Sequence, residues 1–156
     1  MKDLFQYNWD VREDWFTWCE SLSEEEFNQE RLGGMKSFRE TLIHIVDCEL
    51  LWLNTLLGEK IQYESRETLY HLEEIKQYSA SIQLQTEAFI ANVEHGDDER
   101  IIEVTRRDGS VLHFSQKKVV AHMITHEIHH IGQLSVWARE IGLKPVSSDL
   151  IIRNIF

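Results

Sequence analysis

The sequence holds a single proline, Pro145, among 156 residues. Proline interrupts helices by removing a backbone donor, so its scarcity leaves long helices unopposed. The two cysteines, Cys19 and Cys48, are too few for a disulfide scaffold and read as reduced thiols. The longest apolar runs reach only four residues, as at Leu50–Leu53, whereas a membrane span needs about 20. Positive charge is scarce: 16 Lys and Arg stand against 27 Asp and Glu, a net charge of −11. A field of that sign repels phosphate backbones and anionic bilayers, so neither nucleic acid nor membrane is an expected partner. The N-terminal stretch MKDLFQYNWD lacks the apolar core of a signal peptide, and a cytoplasmic protein is expected.

Apolar residues make up 42%, enough to bury a core, and the length suits one domain over residues 1–156. Four long helices are predicted from the apolar spacing. The first runs from about Lys2 to Leu22, with Leu4, Val11, Trp15, Trp18 and Leu22 on one stripe and Phe5, Trp9 and Phe16 beside it. Ser23 then opens a cap-like Ser-Glu-Glu-Glu, read as a short turn. The second helix runs from about Ser37 to Leu57 and is apolar nearly all round; Ser37 and Glu40 form a capping-box pattern, and Gly58 is its stop. The third runs from about Glu67 to Val93, with His95-Gly96 as its end. Residues 101–114 change to a β-like pattern around Arg107-Asp108-Gly109-Ser110, a hairpin signal. The fourth helix runs from about Ser115 to Ile141, ahead of Gly142. Ile151, Ile152 and Phe156 in the tail are expected to dock. The fold class is therefore all-α: a four-helix bundle with a small β-hairpin before the last helix. The apolar area of the first two helices exceeds what one bundle core covers, which predicts a homodimer.

Four of the eight histidines crowd into residues 122–130, as His122, His126, His129 and His130. At about 100° per residue from His126, His130 lies about 40° into the apolar arc, and His122 and His129 fall about 40° and 60° outside it. His126 and His130 thus face the bundle interior one turn apart, a spacing that can chelate one divalent metal. A third ligand has to come from a facing helix, and His44, set in the apolar stretch LIHIVDCELLW, is the best candidate. Three histidines leave a position open to water or substrate, as catalytic sites do. Asp47 and Glu49 lie one turn from His44 and are candidates to orient an imidazole. Glu127 falls within the apolar arc and is a candidate base; Gln133 shares the histidine face and is a candidate hydrogen-bonding partner. His126-Glu127-Ile128-His129-His130 also matches the His-Glu-x-x-His pattern of metalloproteases, but no histidine follows it, so protease activity is the weaker reading.

The chain resembles the DinB superfamily of DinB/YfiT-like helical metalloproteins along nearly its whole length. The resemblance rests on the aromatic first helix, His44 followed by Trp52, Asp108-Gly109 before the last helix, and His126-x-x-x-His130 running into Gly132-Gln133. The family commonly reads His-His-Arg-Gly-Gln there, and Ile131 stands here in place of the arginine. The resemblance implies a bundle of unusual handedness, a homodimer, and a divalent metal, zinc or nickel foremost, on His44, His126 and His130. It further implies a transferase using a low-molecular-weight thiol such as bacillithiol on small electrophiles. A metal-activated hydrolase on the same site and a non-catalytic metal-binding stress protein are the alternatives.

Overall fold

The computed structural model describes residues 1–93, 99–106 and 108–155. Its elements are α1 (Lys2–Cys19), α2 (Glu24–Asn28), α3 (Phe38–Leu57), α4 (Leu72–Asn92), the strands β1 (Ile101–Thr105) and β2 (Val111–Ser115), α5 (Gln116–Glu140) and a 3-10 turn at Leu150–Ile152. The long helices α1, α3, α4 and α5 form the bundle, with α3 packed against both α4 and α5. None of the described helices is long and apolar enough to cross a membrane.

Local chemistry explains the element boundaries. Ser37 and Ser115 cap α3 and α5 by accepting from the backbone N–H of Glu40 and Lys118. The second half of the expected capping box is not made: the Glu40 carboxylate accepts from Arg39 and Arg66 instead. Ser23 begins a short helix rather than the expected turn, capping the N–H of Glu26. Helix α4 starts five residues after the predicted Glu67. Arg39 donates to the carbonyls of Arg66 and Leu69, which holds that stretch in a turn. His95 and Gly96, expected to end this helix, lie outside the described residues. Gly142 closes α5 at a φ of +78°, a left-handed conformation that favours glycine.

The hairpin is antiparallel, pairing Ile102 with Phe114 and Val104 with Leu112. Asp108 accepts from the N–H and hydroxyl of Ser110 across the turn. The tail departs from expectation. Ile151 and Ile152 are 94% and 67% exposed, and Val146 and Ile155 pack on the core in their place. Phe156 lies outside the described residues.

Buried apolar residues form two clusters. One centres on Trp15, Phe38, Ile43, Ile75 and Leu134, the other on Phe5, Trp9, Leu53, Val120 and Ile124. A charged layer runs between them. Arg12 on α1 follows Trp9 and precedes Trp15, Glu49 on α3 precedes Leu53, and Glu127 on α5 follows Ile124; all three are buried. Arg12 binds both Glu127 oxygens at 2.8 and 2.6 Å, one Glu49 oxygen at 2.6 Å and the Ser79 hydroxyl at 3.1 Å. Trp9 donates its indole N–H to Glu49. Burial alone would lower the Arg12 pKa, but Glu127 and Glu49 reverse this and hold it above the usual value. Two carboxylates share one guanidinium, and burial holds Glu127 above the ordinary carboxylate range despite Arg12. Such a layer is satisfied in one axial register of α1, α3 and α5, because a shifted helix strands a buried charge.

Candidate metal centre

The charged layer sets the level at which α3 and α5 present their histidines. His44 and Cys48 are successive turns of α3; His126 and His130 are successive turns of α5. The ring of His44 lies 5.1 Å from that of His126 and 4.6 Å from that of His130, centroid to centroid. His126 and His130 are 4.5 Å apart in the same measure, with their Nε2 atoms at 3.2 Å. His122 and His129 are exposed, as the face assignment predicts, while His130 is buried and His126 half-buried.

Sequence reasoning missed Cys48 as a member of this site. Its Sγ is 3.5 Å from His44 Nε2 and 3.7 Å from His126 Nε2, and one ligand atom from each of the three residues falls within a 4.8 Å group. Its signal was present in the sequence, since a residue four after His44 shares its helix face. A tetrahedral zinc, with Zn–N about 2.05 Å and Zn–S about 2.3 Å, holds two nitrogens about 3.3 Å apart and a nitrogen and sulfur about 3.6 Å apart. The observed separations match that bite, so the cluster is compatible with a divalent metal.

Gln133 fixes the imidazoles from behind. Its Oε1 lies 2.8 Å from His130 Nδ1 and so accepts the proton there. Its amide nitrogen, 3.1 Å from His129 Nε2, donates to that ring. With the His130 proton on Nδ1, the Nε2 lone pair faces His126, the tautomer a metal ligand needs. Gly34 leaves room for this amide: a Cβ there would lie 2.6 Å from Gln133 Oε1 and 3.1 Å from the Trp137 ring, at a φ of +50°. Gly34→Ala is expected to lose about 1–2 kcal/mol of stability from backbone strain. It is also expected to push Gln133 off His130. Gln133→Ala should weaken metal binding by about 10- to 100-fold, the usual effect of losing a ligand's supporting hydrogen bond. Metal-competition titration of the two variants checks both points.

The other candidates sit elsewhere. Both Glu127 oxygens are held by Arg12. Asp47 accepts from Arg66 at 2.7 Å and from the Tyr78 hydroxyl at 2.9 Å, and Glu49 accepts from Arg12 and Trp9. These carboxylates are structural partners of cations and aromatic donors. In particular, the glutamate of the His-Glu-x-x-His pattern is committed to the ion layer. Ile131, at the position of the family arginine, is buried among Leu134 and Trp137 in the apolar core.

Burial, followed by the neighbouring imidazoles, draws His126 down to about 4. Burial also lowers His44 and His130, and pushes the Cys48 thiol up to about 12. The unfolded chain takes up a proton on His126 near pH 6.5, the ordinary value, and the folded chain resists it. This contribution to stability is complete above the ordinary value and is lost progressively as pH falls toward about 4. The metal-free chain is therefore expected to show a falling urea midpoint between neutral pH and about pH 4, with a shallower fall in His126→Asn; identical slopes would refute it.

The fold and site together define a helical-bundle protein with a candidate metal centre between two facing helices. A sequence model of the DinB family matches residues 1–154, and the chain belongs to that family. It is 38% identical over 160 residues to the uncharacterized protein YizA of Bacillus subtilis (strain 168), a match covering 99% of this chain and 96% of that protein.

Proposed function

We propose that this chain is a metal-dependent enzyme of the DinB family, a thiol S-transferase acting on small electrophiles. The observation that carries the reading is the group formed by His44, Cys48 and His126, one ligand atom of each within 4.8 Å of the others, with His130 Nε2 3.2 Å from His126 Nε2. When bound, such an ion supplies Lewis acidity, lowering the pKa of a coordinated thiol as it does that of water. Zinc and nickel both suit nitrogen-rich donors, and cellular supply selects between them.

In this reading the three imidazoles bind the ion, and Gln133 holds His130 in the tautomer that leaves Nε2 free. Glu127 and Asp47 act by fixing α5 and α3 rather than by moving protons. The sulfur of Cys48 lies where a sulfur donor is accommodated between His44 and His126. A small thiol of the bacillithiol type is the proposed co-substrate. A homodimer is part of the reading. The aromatic stripes of α1 are buried or half-buried within one chain, and an exposed stripe that a second copy could cover is Ile128, Gly132 and Val136 on α5.

The deciding experiment is metal analysis of untagged protein, paired with thiol conjugation against an electrophile panel. Stoichiometric metal and thiol-dependent consumption of an electrophile are expected. Ester or amide turnover without thiol would replace the transferase by a hydrolase. Absence of retained metal would remove the enzyme reading altogether.

A further inference from the structure

Lys118, His122, His126 and His130 follow one another at four-residue steps along α5, so they form one stripe, each a turn from the next. The last two belong to the histidine cluster. The first two line a separate cavity of about 430 Å³ between α5, α3 and the hairpin. Its walls include Trp52, Leu112 and Phe114. Strand alternation puts Val104, Leu112 and Phe114 on the same inward face, and Arg106, two residues beyond Val104, continues it.

Two features give the cavity a chemical preference. The chain carries a net charge of −11, yet the two charged side chains lining this cavity are both cations, Arg106 and Lys118. Neither forms an ion pair among the described residues, and Lys118 Nζ rests 5.3 Å from the centre of the Phe114 ring. At the other end, His122 packs edge-on against Trp52 at 5.3 Å, and its ring centre is 5.5 Å from that of His126. The cavity thus has cations at one end, aromatic walls, and the histidine cluster one imidazole away.

We infer that this cavity binds a small organic anion with an aromatic or branched apolar body. Its carboxylate or sulfonate pairs with Arg106 and Lys118. Its apolar part lies against Trp52 and Phe114, and its far end passes His122 toward His126. Lys118 and His126 are eight residues apart, about 12 Å along the helix, which sets the length of molecule that reaches both. The inference rests on the proposed enzyme only in making this anion the electrophilic substrate; the binding itself is separable from metal and turnover.

Calorimetric titration with phenylbutyrate, phenylbutanol and phenylbutylamine, on metal-loaded and chelator-treated protein, tests it. The carboxylate is expected to bind at least about tenfold more tightly than the alcohol or amine, as charge-assisted pairing to two cations provides. Lys118→Glu and Arg106→Glu should remove that preference, and Trp52→Ala should weaken carboxylate and alcohol alike. Lys117→Glu, an equal charge change one residue away, should leave the preference intact. Equal affinity for acid and alcohol overturns the proposal, as does an equal effect of Lys117→Glu and Lys118→Glu. A preference that vanishes with the metal also overturns it, because the carboxylate would then be a metal ligand. A chain that holds no metal but keeps the preference upholds this site while removing the proposed enzyme.

Discussion

Arg12→Met is expected to lower stability by about 3–5 kcal/mol, the usual result of removing one partner of a buried ion pair. Arg12 and both its carboxylate partners are almost wholly buried, so solvent does little to screen the loss. The substitution preserves much of the side-chain volume while leaving Glu49 and Glu127 facing each other without a cation. In a chain of this size the melting temperature should drop by on the order of 10 °C. Glu127→Gln should cost much less, about 1 kcal/mol, because Arg12 keeps Glu49 and the amide still accepts a hydrogen bond. Thermal melts of the two variants at neutral pH measure the contrast. Equal losses would show that the layer contributes packing rather than charge pairing.

His126→Ala is expected to abolish metal retention, and His130→Ala and His44→Ala to do the same or nearly so. His122→Ala and His129→Ala should retain metal. Loss in His122→Ala with retention in His130→Ala would mean that the wrong face of α5 had been assigned. Cys48→Ser separates two arrangements of the same site. In cobalt-loaded protein, a near-ultraviolet sulfur-to-metal band that disappears in Cys48→Ser makes this thiol a ligand. A band that appears only on adding an external thiol leaves the position to substrate. A chelator should lower the melting temperature of the wild type while leaving its helical circular dichroism intact, since the two apolar clusters do not depend on the ion.

The bundle and the histidine face were legible in the sequence because helical periodicity is rigid. Once Ser115 and Gly142 bracket α5, the direction of every side chain on it follows, and His130 and Glu127 are buried as the angles require. What a buried polar residue meets there does not follow. Glu127 reads equally as a base or an ion partner until Arg12, 115 residues away, is placed beside it. Nothing in the spacing along α1 singles out Arg12, since its carboxylate partners arrive from α3 and α5. Cys48 was legible by spacing but chemically mute alone, for a single thiol becomes a donor only when a histidine from another helix comes within reach. The late start of α4 was hidden for a similar reason, because Arg39 is what restrains residues 66–69.

Chain order gives the site a timing. Arg12, His44, Cys48 and Glu49 are all synthesised in the first third of the polypeptide, and everything that satisfies them from α5 arrives in the last third. Until then a nascent chain holds the Arg12–Glu49 pair without Glu127, and one of the three clustered histidines. The tail that follows α5 ties itself back to the beginning: Trp18 donates to the Lys144 carbonyl, Tyr7 to that of Ser148, and Arg153 binds Asp14. The histidine cluster is thus assembled only once α5 has been made, and a product truncated before α5 lacks His126, His130 and the second carboxylate of the buried charged layer.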